Sequence, residues 1–194
     1  MDLISGFKVA EAKSFFLDNI GPIPTSKEVY SFARSAAVQR GNVYNPQVSE
    51  KAKLEMWDDY SVFADTKKVK YKIGVTEAEH LANIFDLVDV MSHEHSSSLK
   101  DGVFRFGTAQ KLFNLTLKYF WVKDEIEEPP HAPIDSYVVN NIGKVEYLWT
   151  KSTSSSEYLA VIERCKKVSK AYGLSVAQWE LLFWNMAALS ASIE

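Results

Sequence analysis

The chain of 194 residues carries a single cysteine, Cys165, which excludes a disulfide framework and a cysteine-based zinc site. No apolar run reaches the roughly 18 residues that a membrane span needs. The N-terminus lacks the basic-then-apolar order of a signal peptide, so a soluble, cytoplasmic protein is expected, with no membrane partner. Charge of one sign is also scarce. The 22 Lys+Arg face 25 Asp+Glu, and a net charge of −3 argues against indiscriminate coating of nucleic acid. A Gly-rich phosphate loop and a serine elbow are both missing, which leaves nucleotide hydrolysis and esterase chemistry without support. No internal repeat is visible.

What is present is an apolar fraction of 46%, ordinary for a globular chain. At this size about 70% of the unfolded surface can be buried, so the core needs no covalent or metal staple. Residues 1–194 read as one domain, or as two small helical lobes that share a cleft. Strand signals are few, and apolar residues recur at helical spacing, so the predicted class is all-α. A first helix is predicted from about Leu3 to Asn19, with Phe7, Ala10, Phe15 and Leu17 among its apolar positions. It stops at Gly21-Pro22. Thr25-Ser26 offers an N-cap, with Glu28 in the first turn, for a helix to about Arg40. A turn cluster from Gly41 to Pro46 precedes a helix from about Ser49 to Ala64. Lys67 to Val75, where Val69, Tyr71 and Ile73 alternate with lysines, reads as the one extended stretch.

Thr76 caps a long helix with the stripe Leu81, Ile84, Phe85, Val88 and Met91, broken at Ser96 to Gly102. The following helix, about Phe104 to Trp121, is apolar nearly all round, the pattern of a central, buried helix. Pro129 to Pro133 leads to a short helix at Asp135. Two helices close the chain, from about Glu157 to Tyr172 and from Ser175 to Ser190, hinged at Gly173.

Lys111 lies in the first two turns of the all-round apolar helix. An amine pressed into an apolar site loses hydration and gains nucleophilicity. The plain alternative is a lysine that snorkels to solvent, and Lys118 on the same helix fits either description. Asp135 stands where prolines stiffen the approach to a helix start, and helix N–H groups there favour a negative charge. Such a carboxylate can stabilise positive charge on a sugar carbon, or it can simply cap the helix. Glu180 and Trp184 are four residues apart and share a helix face. An aromatic plane beside a hydrogen-bonding acid suits an extruded base, although aromatics on an amphipathic helix, as at Trp179, Phe183, Trp184 and Trp57, are more often plain core. Bases cluster locally: five against one acid from Lys100 to Lys123, and further groups at Lys67, Lys68, Lys70 and Lys72 and at Arg164, Lys166, Lys167 and Lys170. Such patches can contact phosphates or form solvated faces. His93 and His95 flank Glu94, but their i, i+2 spacing on a helix points them apart, so no metal site is expected.

In order, these pieces resemble the helix-hairpin-helix superfamily of DNA glycosylases, and most closely its archaeal 8-oxoguanine branch. Gly107-x-x-x-Lys111 enters an apolar helix, and Ala109-Gln110-Lys111-Leu112-Phe113 through Lys118-Tyr119 is similar to the lysine-bearing helix. Ala132-Pro133-Ile134-Asp135-Ser136 is similar to the branch's proline-valine-aspartate-serine stretch. Gln178 to Trp184 resembles its acid-x-x-x-tryptophan helix, and Trp57 to Phe63 its aromatic helix after the base-reading segment. These matches spread over roughly residues 30–186.

The resemblance implies excision of a modified or damaged base from double-stranded DNA by base flipping. Lys111 would attack C1′ and hold the sugar as a Schiff base, giving lyase activity, while Asp135 stabilises the oxocarbenium-like transition state. Trp57 and Trp184 would wall the base, and Glu180 would bond its edge. Gln39 and Asn42 would read the base, and Arg105, Gly107 and Thr108 would contact phosphate. A monomer without metal or diffusible cofactor is implied, with a role in repair or in defence against modified phage DNA.

Two departures stand out. The hairpin from Gly102 to Gly107 lacks the usual Gly-x-Gly pair, and a shifted register puts Gly107 in the lysine slot. The enzyme would then be monofunctional, using water activated by Asp135. Glutamate at 180 replaces the family's aspartate, which leaves the base open between 8-oxoguanine-like bases and others such as a modified cytosine. The competing class is a non-enzymatic all-α module that binds protein or DNA. The two classes part on one feature: the enzyme needs a concave pocket joining Lys111, Asp135 and an aromatic wall.

Overall fold

The computed structural model describes residues 8–21, 24–39, 41–143 and 145–191. Eight α-helices follow in order: α1 (Val9–Ile20), α2 (Ser26–Val38), α3 (Glu50–Tyr71), α4 (Glu77–His95), α5 (Phe106–Val122), α6 (Ser136–Asn141), α7 (Ser155–Ala171) and α8 (Val176–Ala191). Among the described residues there is no strand, only an isolated bridge between Tyr44 and Leu99. No helix there is long and apolar enough to cross a membrane. The class is all-α.

Local chemistry sets the starts. Thr25 and Thr76 each accept a bond from the backbone N–H three residues on, while Glu28 and Glu79 reach back to the cap N–H. Ser49, Asp135 and Ser154 cap α3, α6 and α7 through their side chains. Two short 3₁₀ turns, Ser96–Ser98 and Lys100–Gly102, break α4 from α5. Leu3 and Phe7 of the first predicted helix lie outside the described residues, as does Arg40 at the end of the second.

The organising element is α5. Its residues are buried on every face, and it packs against α1, α2, α3, α4 and α7. α8 packs on α1 and α7 instead.

The stretch Lys67 to Val75 is not extended. α3 continues through Tyr71, because Trp57, Tyr60, Ala64 and Tyr71 make one buried stripe at helical spacing. Val69 and Ile73, which the alternation would have buried, are 64% and 88% exposed. Lys67 pairs with Asp86, and Lys68 and Lys123 pair with Glu125. Lys166 pairs with Glu77 and Glu163. Much of the clustered basic charge is therefore neutralised within the fold.

A polar seam runs through the core beside α5. His131, fully buried, bonds the Tyr158 hydroxyl at 2.7 Å through Nδ1 and Glu77 at 3.0 Å through Nε2. His80 bonds the Tyr71 hydroxyl at 2.8 Å and stacks on Phe113. Burial holds both imidazoles below their ordinary range, against the opposing pull of Glu77 on His131. The unfolded chain therefore binds protons first as pH falls through about 6.5, and stability drops from there downward. Glu77, lowered by Lys166 and His131 despite burial, acts only in the carboxylate range further down. Thermal melts should thus show Tm falling between pH 7 and 5, and His131→Gln or His80→Gln should flatten that slope. An unchanged slope in both variants would remove the histidines from the acid response.

Candidate active site

One cavity of about 290 Å³ gathers groups from six parts of the chain. α5 contributes Lys111, Leu115, Lys118 and Tyr119, the segment before α6 gives Pro133 and Asp135, and α8 gives Glu180, Trp184 and Ala187. Phe16, Ala36 and Tyr137 complete the lining from α1, α2 and α6. Lys111 and Lys118 are seven apart, two turns of helix, so both project from one face of α5 into this space.

Each amine has a carboxylate. Lys111 Nζ lies 3.1 Å from Asp135 Oδ2. The other oxygen, Oδ1, accepts the Tyr137 and Val138 N–H groups at 2.9 and 3.3 Å. The helix start therefore fixes the plane of the carboxylate and leaves its free edge toward the lysine. The Lys111 amine also sits over the Trp149 ring, 4.3 Å from the centroid.

Deeper in, Lys118 and Glu180 form a pair whose side chains are 3% and 6% exposed. Burial pushes the Lys118 amine down and the Glu180 carboxyl up, and their mutual attraction opposes both shifts. Oε1 accepts from Nζ at 2.9 Å. Oε2 lies 2.7 Å from the same nitrogen but out of line for a hydrogen bond, and it has no other partner. Phe16 and Trp184 flank the amine at 4.6 and 5.3 Å from their centroids. The cavity thus holds two cations, two anions and aromatic faces: a balanced lining suited to an uncharged planar group that offers both a donor and an acceptor.

The other sequence candidates fall elsewhere. Trp57 is in the core, where its Nε1 donates to the Tyr44 hydroxyl at 2.8 Å and its ring packs edge-on against Tyr60 and Phe104. It does not reach the cavity. Gln39 caps the C-terminus of α2 and is exposed, three residues beyond the cavity-lining Ala36; Asn42 is exposed with φ 44°.

Gly107 and Thr108 are corrected from the expected phosphate-facing position. The Gly107 N–H donates to Ser152 O at 3.0 Å, and Thr108 is buried with its hydroxyl unpartnered. A Cβ on Gly107 would stand 1.9 Å from the Trp149 carbonyl oxygen, so this glycine serves close packing. Arg105 binds Asp101 and the carbonyls of Gly41 and Thr150. His93 pairs with Glu94 and His95 with Asp59, and no metal-binding cluster exists among the described residues.

Sequence reasoning passed over Tyr137, Phe16 and Trp149, none of which carries a motif, and weighed Lys118 only as a rival to Lys111. Comparisons with protein-family models, with curated proteins and with solved structures give no match.

The buried pair makes a stability test. Glu180→Leu strands the Lys118 charge and should cost about 3–5 kcal/mol in urea unfolding. Adding Lys118→Met should recover most of that loss, because an apolar pair of similar volume leaves no charge buried. A Glu180→Leu protein as stable as the parent would mean that Lys118 escapes to solvent.

Proposed function

We propose that the chain is a DNA glycosylase that accepts a flipped, modified base and excises it with Lys111 as nucleophile. The observation that carries this reading is the single cavity uniting Lys111, Asp135, Glu180 and Trp184, three stretches remote in sequence. In this reading the cavity is the cleft between two helical lobes, with α5 as its wall. Trp184 offers a face for the base, while Glu180 and Lys118, which also line the cavity, are the acceptor and donor proposed for its edge. Gln39 and Asn42, on the chain leaving α2 past Ala36, are the groups nearest in sequence to read the base or fill the gap.

The chemistry follows from the short Lys111–Asp135 distance. Asp135 Oδ2 takes a proton from the amine, whose lone pair then forms the N–C1′ bond. The C1′–base bond breaks, its electrons leave with the base, and the base takes the proton from Asp135. The new C–N nitrogen gives a second proton to Asp135. Its lone pair then forms C1′=N as the C1′–O4′ bond breaks, and O4′ collects that proton. The product is a protonated Schiff base on Lys111 and a free base. Between bond breaking and bond making, the Asp135 carboxylate lies against the positive charge at C1′.

Borohydride trapping tests this directly. The protein is incubated with duplexes carrying 8-oxoguanine, uracil, an abasic site or glucosylated hydroxymethylcytosine, and base release is followed in parallel. The wild type should form an adduct that Lys111→Gln abolishes. Asp135→Asn should keep the fold, since asparagine caps nearly as well, and should slow excision by about 100-fold or more. Base release without an adduct would leave a monofunctional enzyme and demote Lys111 to binding. Neither signal on any duplex would favour the non-enzymatic module.

A further inference from the structure

Lys111 Nζ has two neighbours that bear on its charge: Asp135 Oδ2 on one side and the Trp149 ring on the other. The first was expected from sequence. The second depends on how the segment before α7 lies against the start of α5.

Gly107 and Lys111 are four residues apart and share a face of α5. A backbone that crosses the helix at Gly107 therefore lays its next side chain beside Lys111. Trp149 makes that crossing. Its carbonyl oxygen lies 1.9 Å from where a Cβ on residue 107 would be, so only glycine permits the approach.

The segment is pinned on both sides of the indole. The N–H groups of Lys151 and Ser152 both donate to Leu148 O, at 2.9 and 3.0 Å, closing a tight turn. Ser152 O accepts the Gly107 N–H at 3.0 Å, and Thr150 O accepts from the Arg105 guanidinium at 3.4 Å. Ser152 Oγ in turn donates to Glu157 at 2.6 Å in the first turn of α7. The indole itself is 2% exposed, so its position is fixed by packing and its face is not solvated.

Resting on the glycosylase reading, we infer that Trp149 is a positioning residue for Lys111. Its indole face holds the side-chain nitrogen toward C1′ and stabilises the positive charge that grows there. That charge is generated by the reaction. A neutral amine that attacks C1′ becomes cationic as the N–C1′ bond forms, and the nitrogen is cationic again in the protonated Schiff base. An aromatic face 4.3 Å away in a dry setting favours both species over the neutral amine. Asp135 supplies the opposite requirement, accepting the protons that must leave. The carboxylate and the ring divide the work, one taking protons and the other steadying the cation left behind. Trp149 touches neither the sugar nor the base in this scheme, so its effect passes through Lys111.

The experiment is single-turnover trapping on a duplex with an abasic site at saturating protein, for the wild type and for Trp149→Tyr, Trp149→Phe and Trp149→Leu. Binding to a duplex with a tetrahydrofuran abasic analogue, which cannot form the adduct, is measured alongside. Trapping should slow in the order of ring strength, Trp then Tyr then Phe, and Leu should be about tenfold or more below wild type. Tetrahydrofuran-duplex binding should stay within about threefold throughout, because the ring acts after binding. Should the Leu variant fail to fold, the Tyr and Phe variants, which keep an aromatic core, decide the matter. Phe trapping at the wild-type rate, or a loss of trapping that tracks a loss of binding, would overturn the role of Trp149 alone. No adduct from the wild type on any duplex would instead take down the lyase reading on which it rests.

Discussion

The candidate site depends on two lysines that share one face of a helix buried nearly all round. α5 is buried all round, yet Lys111 and Lys118 project from it two turns apart into the same cavity. A bare ammonium at either place would lose its hydration for no return. The fold answers with one carboxylate for each: Asp135 from the start of α6 and Glu180 from α8. α6 and α8 are therefore placed by charge as well as by packing. The aromatic rings about the two amines, Trp149 for one and Phe16 and Trp184 for the other, complete their coordination without adding charge.

The two pairs differ in a way that matters for chemistry. Lys118 and Glu180 are sealed, so neither moves without leaving the other stranded. That suits a fixed wall with defined donor and acceptor positions. Asp135 is 31% exposed, and one of its oxygens is already committed to the helix start. That pair is open to solvent on the Asp135 side, where the sealed pair is not. A sealed ion pair and a partly exposed one are thus set two turns apart along one helix.

The sequence carried the fold class and most helix starts, because capping and helical periodicity are local. It misread the end of α3, where lysines alternating with Val69, Tyr71 and Ile73 imitate a half-buried strand. The longer stripe through Trp57, Tyr60, Ala64 and Tyr71 prevails, since it buries more surface than three alternating residues could. Lys111, Asp135, Glu180 and Trp184 were each visible as residues with a local reason to be where they are. Their meeting was not derivable from spacing alone and entered only with the ordered resemblance. Trp57 shows the converse. An aromatic on an amphipathic helix has the same pattern whether it faces a core or a cavity, and only tertiary placement separates the two.

Gly107 illustrates why a motif can point to the right segment for the wrong reason. The glycosylase resemblance implies that Gly107 and Thr108 contact phosphate at this helix start. Here the N–H is already bonded to Ser152, and the missing Cβ makes room for the Trp149 backbone. The glycine is still tied to the candidate chemistry, but through packing: it lets a distant segment close over the helix one turn before Lys111. In the glycosylase reading, a phosphate contact from this end of α5 would fall to Arg105 or to the neighbouring segments. Arg105 is itself bonded to Asp101 and to the carbonyls of Gly41 and Thr150. It ties the segment after α2, with the exposed Asn42, to the segment that carries Trp149. Both segments border the helix end from which Lys111 reaches into the cavity.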